Sequence, residues 1–406
     1  MATQTTTGPD PAADVRDRVA AHSGVPELAE KLWFHKTAAA VIDAGRCVGC
    51  GGCIAACPSR SISVDEDGHP TLTRMCTGCS ACWDFCPLAG LRTERLAREG
   101  SADELGTVLA AWSAHATSPA EGAQDGGVVT ALLAALLEAG TIDAALVTRR
   151  VDAFRGETVL ATTPEQIRAA AGSSYHQGHP LAALAQPLPS DVKRVALVGT
   201  PCQVSVLRAL QRFPWPRRRG SEAAVALTVA LFCTRSFQPL ALAGALAAEG
   251  LDVRRVARLA VRDGELVAFD AQGSELLRRP VRALRSVSLR GCEECADFAG
   301  LTADLAVGSL ASEPGHSTVL VRTAAGAQAW STAAAALDAR PLEDLSPLAR
   351  AAARNRRRAE PALARGFDPA GPLWVGYPEH LAAYQGTERA PSSPPPHRSH
   401  HYEVSC

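Results

Sequence analysis

Between residues 126 and 345 short apolar blocks alternate with longer mixed ones, the rhythm of strands followed by helices. Residues 128–138 form an apolar block of helical length that Gly140 stops, and 144–150 (AALVTRR) reads as a strand. TPEQIRAAAG (163–172) predicts a helix with a Thr cap and a Gly stop. RVALVG (194–199) is a short buried strand, TPCQ a turn, and VSVLRALQRF (204–213) a helix. AVALTVALFC (224–233) is a further strand closing on Cys233. From 257 to 281 polarity alternates around Asp-Gly and Gln-Gly turns, as in a β-meander. Strands are expected within 301–312 and 317–326, and a basic helix over 348–366. The expected fold class is α/β (mixed α+β), with a small N-terminal domain of a different texture.

That domain spans 36–97 and is rich in Cys, after a polar leader over 1–35. Residues 98–125 read as a helical patch and then a polar loop, SPAEGAQDGG, taken as the domain junction. The core then runs over 98–345, a C-terminal helical extension over 346–385, and a low-complexity tail, expected to be disordered, over 386–406. No apolar run is long enough to span a bilayer; the best candidate, 128–147, is interrupted by Glu138 and Asp143. The N-terminus has no apolar secretion segment, so a soluble, cytoplasmic protein is expected, peripheral to any membrane complex it serves.

The chain has 406 residues, 47% hydrophobic but only 5% aromatic, so aliphatic packing must dominate the core. A net charge of -1 argues against binding nucleic acid by phosphate neutralisation. The cations are almost all Arg, with Lys only at 31, 36 and 193. Thirteen Cys at close spacing point to metal binding in a reducing compartment rather than to disulfides.

Cys47-x2-Cys50-x2-Cys53-x3-Cys57-Pro58 is followed by Cys76-x2-Cys79-x2-Cys82-x3-Cys86-Pro87. This is the spacing of a two-[4Fe-4S] ferredoxin, in which three thiolates wrap one cube and the fourth, before Pro, reaches the other. One cluster would use Cys47, Cys50, Cys53 and Cys86; the other Cys76, Cys79, Cys82 and Cys57. Zinc, the alternative for C-x2-C, prefers two separated pairs and fits two runs of four poorly. Of the rest, Cys202 and Cys233 fall at predicted strand ends and Cys292 and Cys295 form another C-x2-C pair. They make either a third four-iron site or ordinary small buried residues.

GGVVTALLAALLEAGTIDAALV (126–147), AGSSYHQGHPLAAL (171–184), RVALVGTPCQVSVLRAL (194–210), ALFC (230–233) and GCEECADF (291–298) resemble the beta subunits of coenzyme F(420) hydrogenases and dehydrogenases. The two-cluster module in front makes the chain similar to the input subunit of F(420)H2 dehydrogenase, and 7-hydroxymethyl chlorophyll a reductase is a further relative. The resemblance implies a flavoprotein core with one FAD, drawing on Gly126, Gly127, Thr130, Ser173, Tyr175, Thr200 and Gln203. It also implies a third [4Fe-4S] cluster on Cys202, Cys233, Cys292 and Cys295. Where such relatives carry Ser-Lys-Tyr, this chain has Ser173-Ser174-Tyr175.

The function this implies is an oxidoreductase passing electrons between a hydride carrier, coenzyme F(420), and one-electron acceptors, with a redox partner protein or ferredoxin and no nucleic acid. The alternatives are a ferredoxin-dependent reductase of an organic substrate and a non-catalytic relay subunit. A flavin is the natural input, since it accepts a pair of electrons and gives them up singly. Among weaker signals, Asp297 and His316 are candidate proton donors. The runs Pro216–Arg219 and Arg354–Arg358 read as solvated charged faces, and His397, His400, His401 and Cys406 as part of the tail.

Overall fold

The computed structural model describes residues 33–66, 68–79, 81–89, 104–212, 220–262 and 264–366. Most of the leader, the tail with His397, His400, His401 and Cys406, the string Arg217–Arg219 and the stretch 367–385 lie outside the described residues.

The N-terminal module is built from short pieces. Helix α1 (Phe34–Thr37) leads into the first Cys run, whose end forms α2 (Gly52–Ala56). Strands β1 (Ile62–Val64) and β2 (Pro70–Leu72) make an antiparallel hairpin, and α3 (Ala81–Asp84) carries Cys82.

The core is an eight-stranded mixed sheet ordered β13-β3-β12-β11-β7-β6-β4-β5. Its strands are β3 (Ala110–Ala116), β4 (Ala144–Arg150), β5 (Gly156–Ala161), β6 (Val195–Gly199), β7 (Val225–Leu231), β11 (Leu305–Gly308), β12 (Ser317–Val321) and β13 (Leu337–Pro341). Strands β4, β6, β7 and β11 are mutually parallel. Because β12 is antiparallel to β11 and β3 antiparallel to β12, β3 also runs with them. The ends of β3, β4, β6, β7 and β11 therefore gather at one edge, the edge where open α/β sheets build sites.

Side chains alternate across the sheet as a pleat requires: Val195 and Leu197 enter the core on one face, Ala196 and Val198 the core on the other. In β7, Val225 and Leu227 fall on opposite faces because the pairing with β6 skips a residue there. Helices α4 (Val128–Glu138) and α5 (Pro164–Ala169) precede α6 (Pro201–Arg212), which joins β6 to β7. Thr163 caps α5, as its sequence predicts, and Gln166 completes a capping box. Beyond β7, α7 (Pro239–Ala248) packs with the meander β8 (Arg258–Arg262), β9 (Glu265–Phe269) and β10 (Glu275–Pro280). Helices α8 (Ala324–Thr332) and α9 (Ser346–Gly366) complete the chain.

The segment expected as a helical patch and loop contains β3, the second strand in from one edge of the sheet. Its sequence, AAWSAHA, has low intrinsic β preference; pairing with β12 and β13 on both sides decides its state. The block 317–326 is strand only to Val321, and Thr323 then caps α8.

The module and the core share one cluster of buried residues. Val48, Ala55, Ala56, Ala81 and Phe85 pack together with Leu181, Leu184, Val204, Val206 and Phe298. The His179 N–H donates to Gly49 O (3.0 Å) and that of Leu181 to Cys50 O (3.2 Å), stitching the first Cys loop to the core. Gly51 lies in the left-handed region (φ 77°), and a Cβ there would stand 2.6 Å from Ala182 N, so this junction admits no side chain.

Candidate redox site

Twelve of the thirteen cysteines are described, and all twelve are free thiols. In the module, Cys53 feels Cys50, Cys47, Cys82 and Cys86, so the thiols of both runs lie close together. Burial raises the Cys50 thiol first, and Cys86 and Cys47 raise it further. Burial pushes Cys86 up to about 12, with Cys47 adding to it and Arg46 opposing. Burial likewise takes Cys82 up to about 12, Thr37 opposing and Cys79, Cys76 and Cys57 adding. Backbone amides aim at the sulfurs: Gly49 N–H at Cys47 (3.4 Å), Gly52 at Cys50 (3.4 Å), Ser61 at Cys57 (3.3 Å) and Gly78 at Cys76 (3.4 Å). Buried thiols of this kind ionise only against a cation, and amides directed at sulfur suit a thiolate bound to iron. Among the described residues no three Cys, His, Asp or Glu side chains close on a single ion. A cube with one thiolate at each iron does not have to meet that condition.

The second group forms at the sheet edge. Cys202 is in the first turn of α6, not in a loop before it, because Pro201 already opens the helix. Cys233 follows β7, and Cys292 and Cys295 lie on a short turn before β11. Burial raises all four thiols. Cys295 and Cys233 add to the effect at Cys202, and Cys292 and Cys295 at Cys233, so the four form one electrostatic group. Cys50 of the module acts on Cys202 as well, which puts the two groups within reach of each other. The Ser236 N–H donates to Cys292 Sγ (3.4 Å), the same contact seen in the module.

A buried ion pair joins the two groups. Arg46, next to Cys47, donates from Nε to Glu294 Oε1 and from a terminal nitrogen to Oε2, both at 2.7 Å, and to Leu88 O at 2.9 Å. Glu294 sits inside the Cys292–Cys295 pair, and both side chains are almost wholly buried. A Cβ on Gly291 would collide with Arg46 O, so the two segments touch backbone to backbone.

Of the seven expected flavin residues, Ser173 and Tyr175 share one set of contacts and Thr200 and Gln203 another, while Gly127 and Thr130 lie at the start of α4. Gly127 (φ 65°) caps α4, and Thr130 lies in that helix's first turn. Tyr175 bonds Gln124, which precedes the Gly pair, and Ser173. Its hydroxyl also accepts the Val261 N–H (2.6 Å) from the meander. Thr200 bonds Gln177 Oε1 (3.2 Å) and meets Cys202 Sγ (3.2 Å). Gln203 bonds Gln177 too, and Gln177 bonds Ser236. Gly126 does something else: a Cβ would strike Ala114 O and Ser317 N, so it lets α4 close onto β3 and β12. Of the candidate proton donors, Asp297 accepts the amides of Gly300 (2.7 Å) and Leu301 (2.9 Å) and acts on Cys295. His316 packs edge-on against His115 (4.7 Å) and pairs with Glu313 (3.4 Å).

The profile for the N-terminal part of the coenzyme F(420) hydrogenase/dehydrogenase beta subunit matches residues 111–185, and that for its C-terminal part residues 192–344. The profile of a 4Fe-4S dicluster domain matches 40–92. The beta subunit of coenzyme F(420) hydrogenase in Methanosarcina barkeri is 30% identical over 55% of this chain and 78% of its own. The chain belongs to this family of beta subunits. The F(420)H(2) dehydrogenase of Methanosarcina mazei has a component that is 26% identical over 71% of this chain and 82% of its own. A solved structure of the F(420)-reducing [NiFe] hydrogenase complex from Methanosarcina barkeri superposes with a TM-score of 0.59 at 29% identity, covering 63% of this chain and 91% of that one. The core of the family thus carries a dicluster domain at its N-terminus here, and both belong to F(420)-linked electron transfer.

Beside Tyr175, this family member gathers arginines. Arg150 lies against Gly122 and Gly172, and like charge from Arg262 and Arg150 acts on Arg258. Arg258 and Arg262 lie over the Phe269 ring, at 3.9 and 5.4 Å. Arg262 also faces the partly buried Asp125. Among the described residues none of the three forms an ion pair. Ser174 packs over Gly156. Gln177, Ser236, the Arg46–Glu294 pair and these arginines are absent from the sequence reading. Each acquires its role only through partners distant in the chain, so no local spacing marks it. No helix among the described residues is long and apolar enough to cross a membrane.

Proposed function

We propose that the chain oxidises reduced coenzyme F(420) at an FAD in the core and delivers the electrons singly, through three [4Fe-4S] clusters, to a one-electron acceptor. It would do so as a subunit of a larger redox complex. The observation that carries this reading is the convergence on Gln177 and Cys202: Thr200 and Gln203 bond Gln177, Thr200 meets Cys202 Sγ, and the charge of Cys50 in the module acts on Cys202.

When bound, FAD supplies conversion between a hydride and single electrons. The chain's own residues set the conditions for it. Burial raises the Tyr175 hydroxyl, so it stays protonated and is a fixed donor at this wall. Arg150, Arg258 and Arg262 offer planar, permanently charged forks to an acidic cofactor tail, a charge that Ser174 does not supply. Cys202, Cys233, Cys292 and Cys295 would hold the third cluster, with the Ser236 amide stabilising its charge. Cys47, Cys50, Cys53 and Cys86 come next, and Cys76, Cys79, Cys82 and Cys57 last.

The test is anaerobic purification with iron, sulfide and flavin analysis, followed by stopped-flow bleaching with F(420)H2, NADH and reduced ferredoxin. About twelve iron and one FAD per chain are expected, with F(420)H2 the fastest donor. Bleaching by NADH or reduced ferredoxin but not by F(420)H2 would overturn the deazaflavin assignment and favour the organic-substrate reductase. A fully reconstituted chain without flavin would be a relay.

A further inference from the structure

Helix α9 begins at Ser346, just past residue 344 where the family profile ends. Its basic run reads in sequence as a solvated face, but the helix divides. Arg354, Arg356 and Arg357 are exposed. Leu348, Ala351, Ala352, Asn355, Arg358 and Ala359 form a buried stripe at helical spacing. Arg358, only 7% exposed, therefore occupies a core position.

What it meets there is the third thiol group. Arg358 donates to Thr234 O (3.0 Å) and to Cys295 O (3.4 Å), and Asn355 donates to Cys233 O (3.2 Å). The guanidinium is thus anchored between the two chain segments that bear three of the four thiols. Its charge opposes the effect of burial at Cys233, Cys292 and Cys295 alike. Arg235 is a further cation close by, paired with Glu293 at 3.3 Å. Asp297 acts with the opposite sign on Cys295.

We propose that Arg358 sets the reduction potential of the cluster held by Cys202, Cys233, Cys292 and Cys295, raising it by fixing a permanent buried cation against that site. The inference rests on the third-cluster reading above. Reduction adds a negative charge to a buried cube, and a nearby cation stabilises that charge most where water is excluded. Arginine keeps its proton at any working pH, so the effect does not titrate away. The C-terminal extension then acts as a lid carrying charge to a cluster whose ligands all come from the core.

The experiment is an EPR-monitored redox titration of the full chain as wild type, Arg358→Gln and Arg358→Lys, with iron counted in each. Wild type with iron for only two clusters refutes the third-cluster reading itself, before any variant is compared. With three clusters present, Arg358→Gln should keep its iron and lower the midpoint of one cluster only. The expected change is about tenfold in its reduced-to-oxidised ratio, or about 59 mV for a one-electron couple. Arg358→Lys should return most of that shift. Loss of the third cluster in Gln but not in Lys also supports a role for the charge. An unshifted midpoint in Gln overturns the proposal, as does equal loss of iron in both variants, which would make Arg358 a packing residue.

Discussion

Replacing Glu294 with Leu removes the carboxylate that receives both forks of the Arg46 guanidinium, in a place where both side chains are at most 5% exposed. Deleting one partner of a buried pair costs about 3–5 kcal/mol, because the remaining charge has been stripped of water without compensation. Arg46 and Glu294 lie on opposite sides of the boundary between module and core, so that cost falls on docking. The amides of His179 and Leu181, which bond Gly49 O and Cys50 O across the boundary, report it. If opening of this interface controls their exchange, protection in Glu294→Leu falls by about two to three and a half powers of ten. The double variant Arg46→Met with Glu294→Leu removes both charges of the pair together, along with the bond to Leu88 O. It should recover to within about 1.5 kcal/mol of wild type. The measurement is native-state hydrogen exchange on anaerobic, cluster-loaded protein. Unchanged protection in the single variant, or a double variant no better than the single, would refute the argument.

Cys202→Ser should take iron from about twelve to about eight per chain while flavin bleaching by the donor survives and reduction of a one-electron dye collapses; equal loss of both activities would make the residue structural. Gly51→Ala should loosen module docking by at least about 1–3 kcal/mol, read as faster release of iron to a chelator, since both its φ and the Ala182 amide oppose a Cβ. Asp143 is held down to about 2 by the Arg194 side chain and the Lys193 and Arg194 amides. Its folded value lies below the unfolded value of about 3.9, so its contribution is present above about pH 4 and fades as the pH falls toward 2. Asp143→Asn should therefore be less stable than wild type at neutral pH, with the gap closing across that window in an acid-unfolding series followed by circular dichroism.

The parts legible in sequence are those whose physics is local. The two Cys runs carry an expected ligand order in their spacing, and in the structure the charge of Cys57 acts on Cys82 and that of Cys47 on Cys86. The cap at Thr163 and the meander around its Gly turns are equally local. Strand β3 was hidden because AAWSAHA becomes a strand only when two partners flank it. The start of α6 was placed late because TPCQ resembles a turn until Pro201 is taken as the first helical residue. Gln177 and Arg358 carry no motif at all. Their chemistry comes from residues 26 and 63 positions away, and only tertiary packing shows it.

The cluster of buried side chains common to module and core bears on how such proteins can be recombined. A ferredoxin attached by a tether is interchangeable: any carrier of suitable potential could be spliced in its place. Here Val206 sits where a Cβ on Gly52 would go, and Phe85 packs among residues of the opposite unit. Exchange of the module alone would bring a foreign surface to a face already shaped for this one. A working chimera must therefore transplant the 177–184 loop and the first turns of α6 together with the module, which makes the heritable unit larger than the motif that names it.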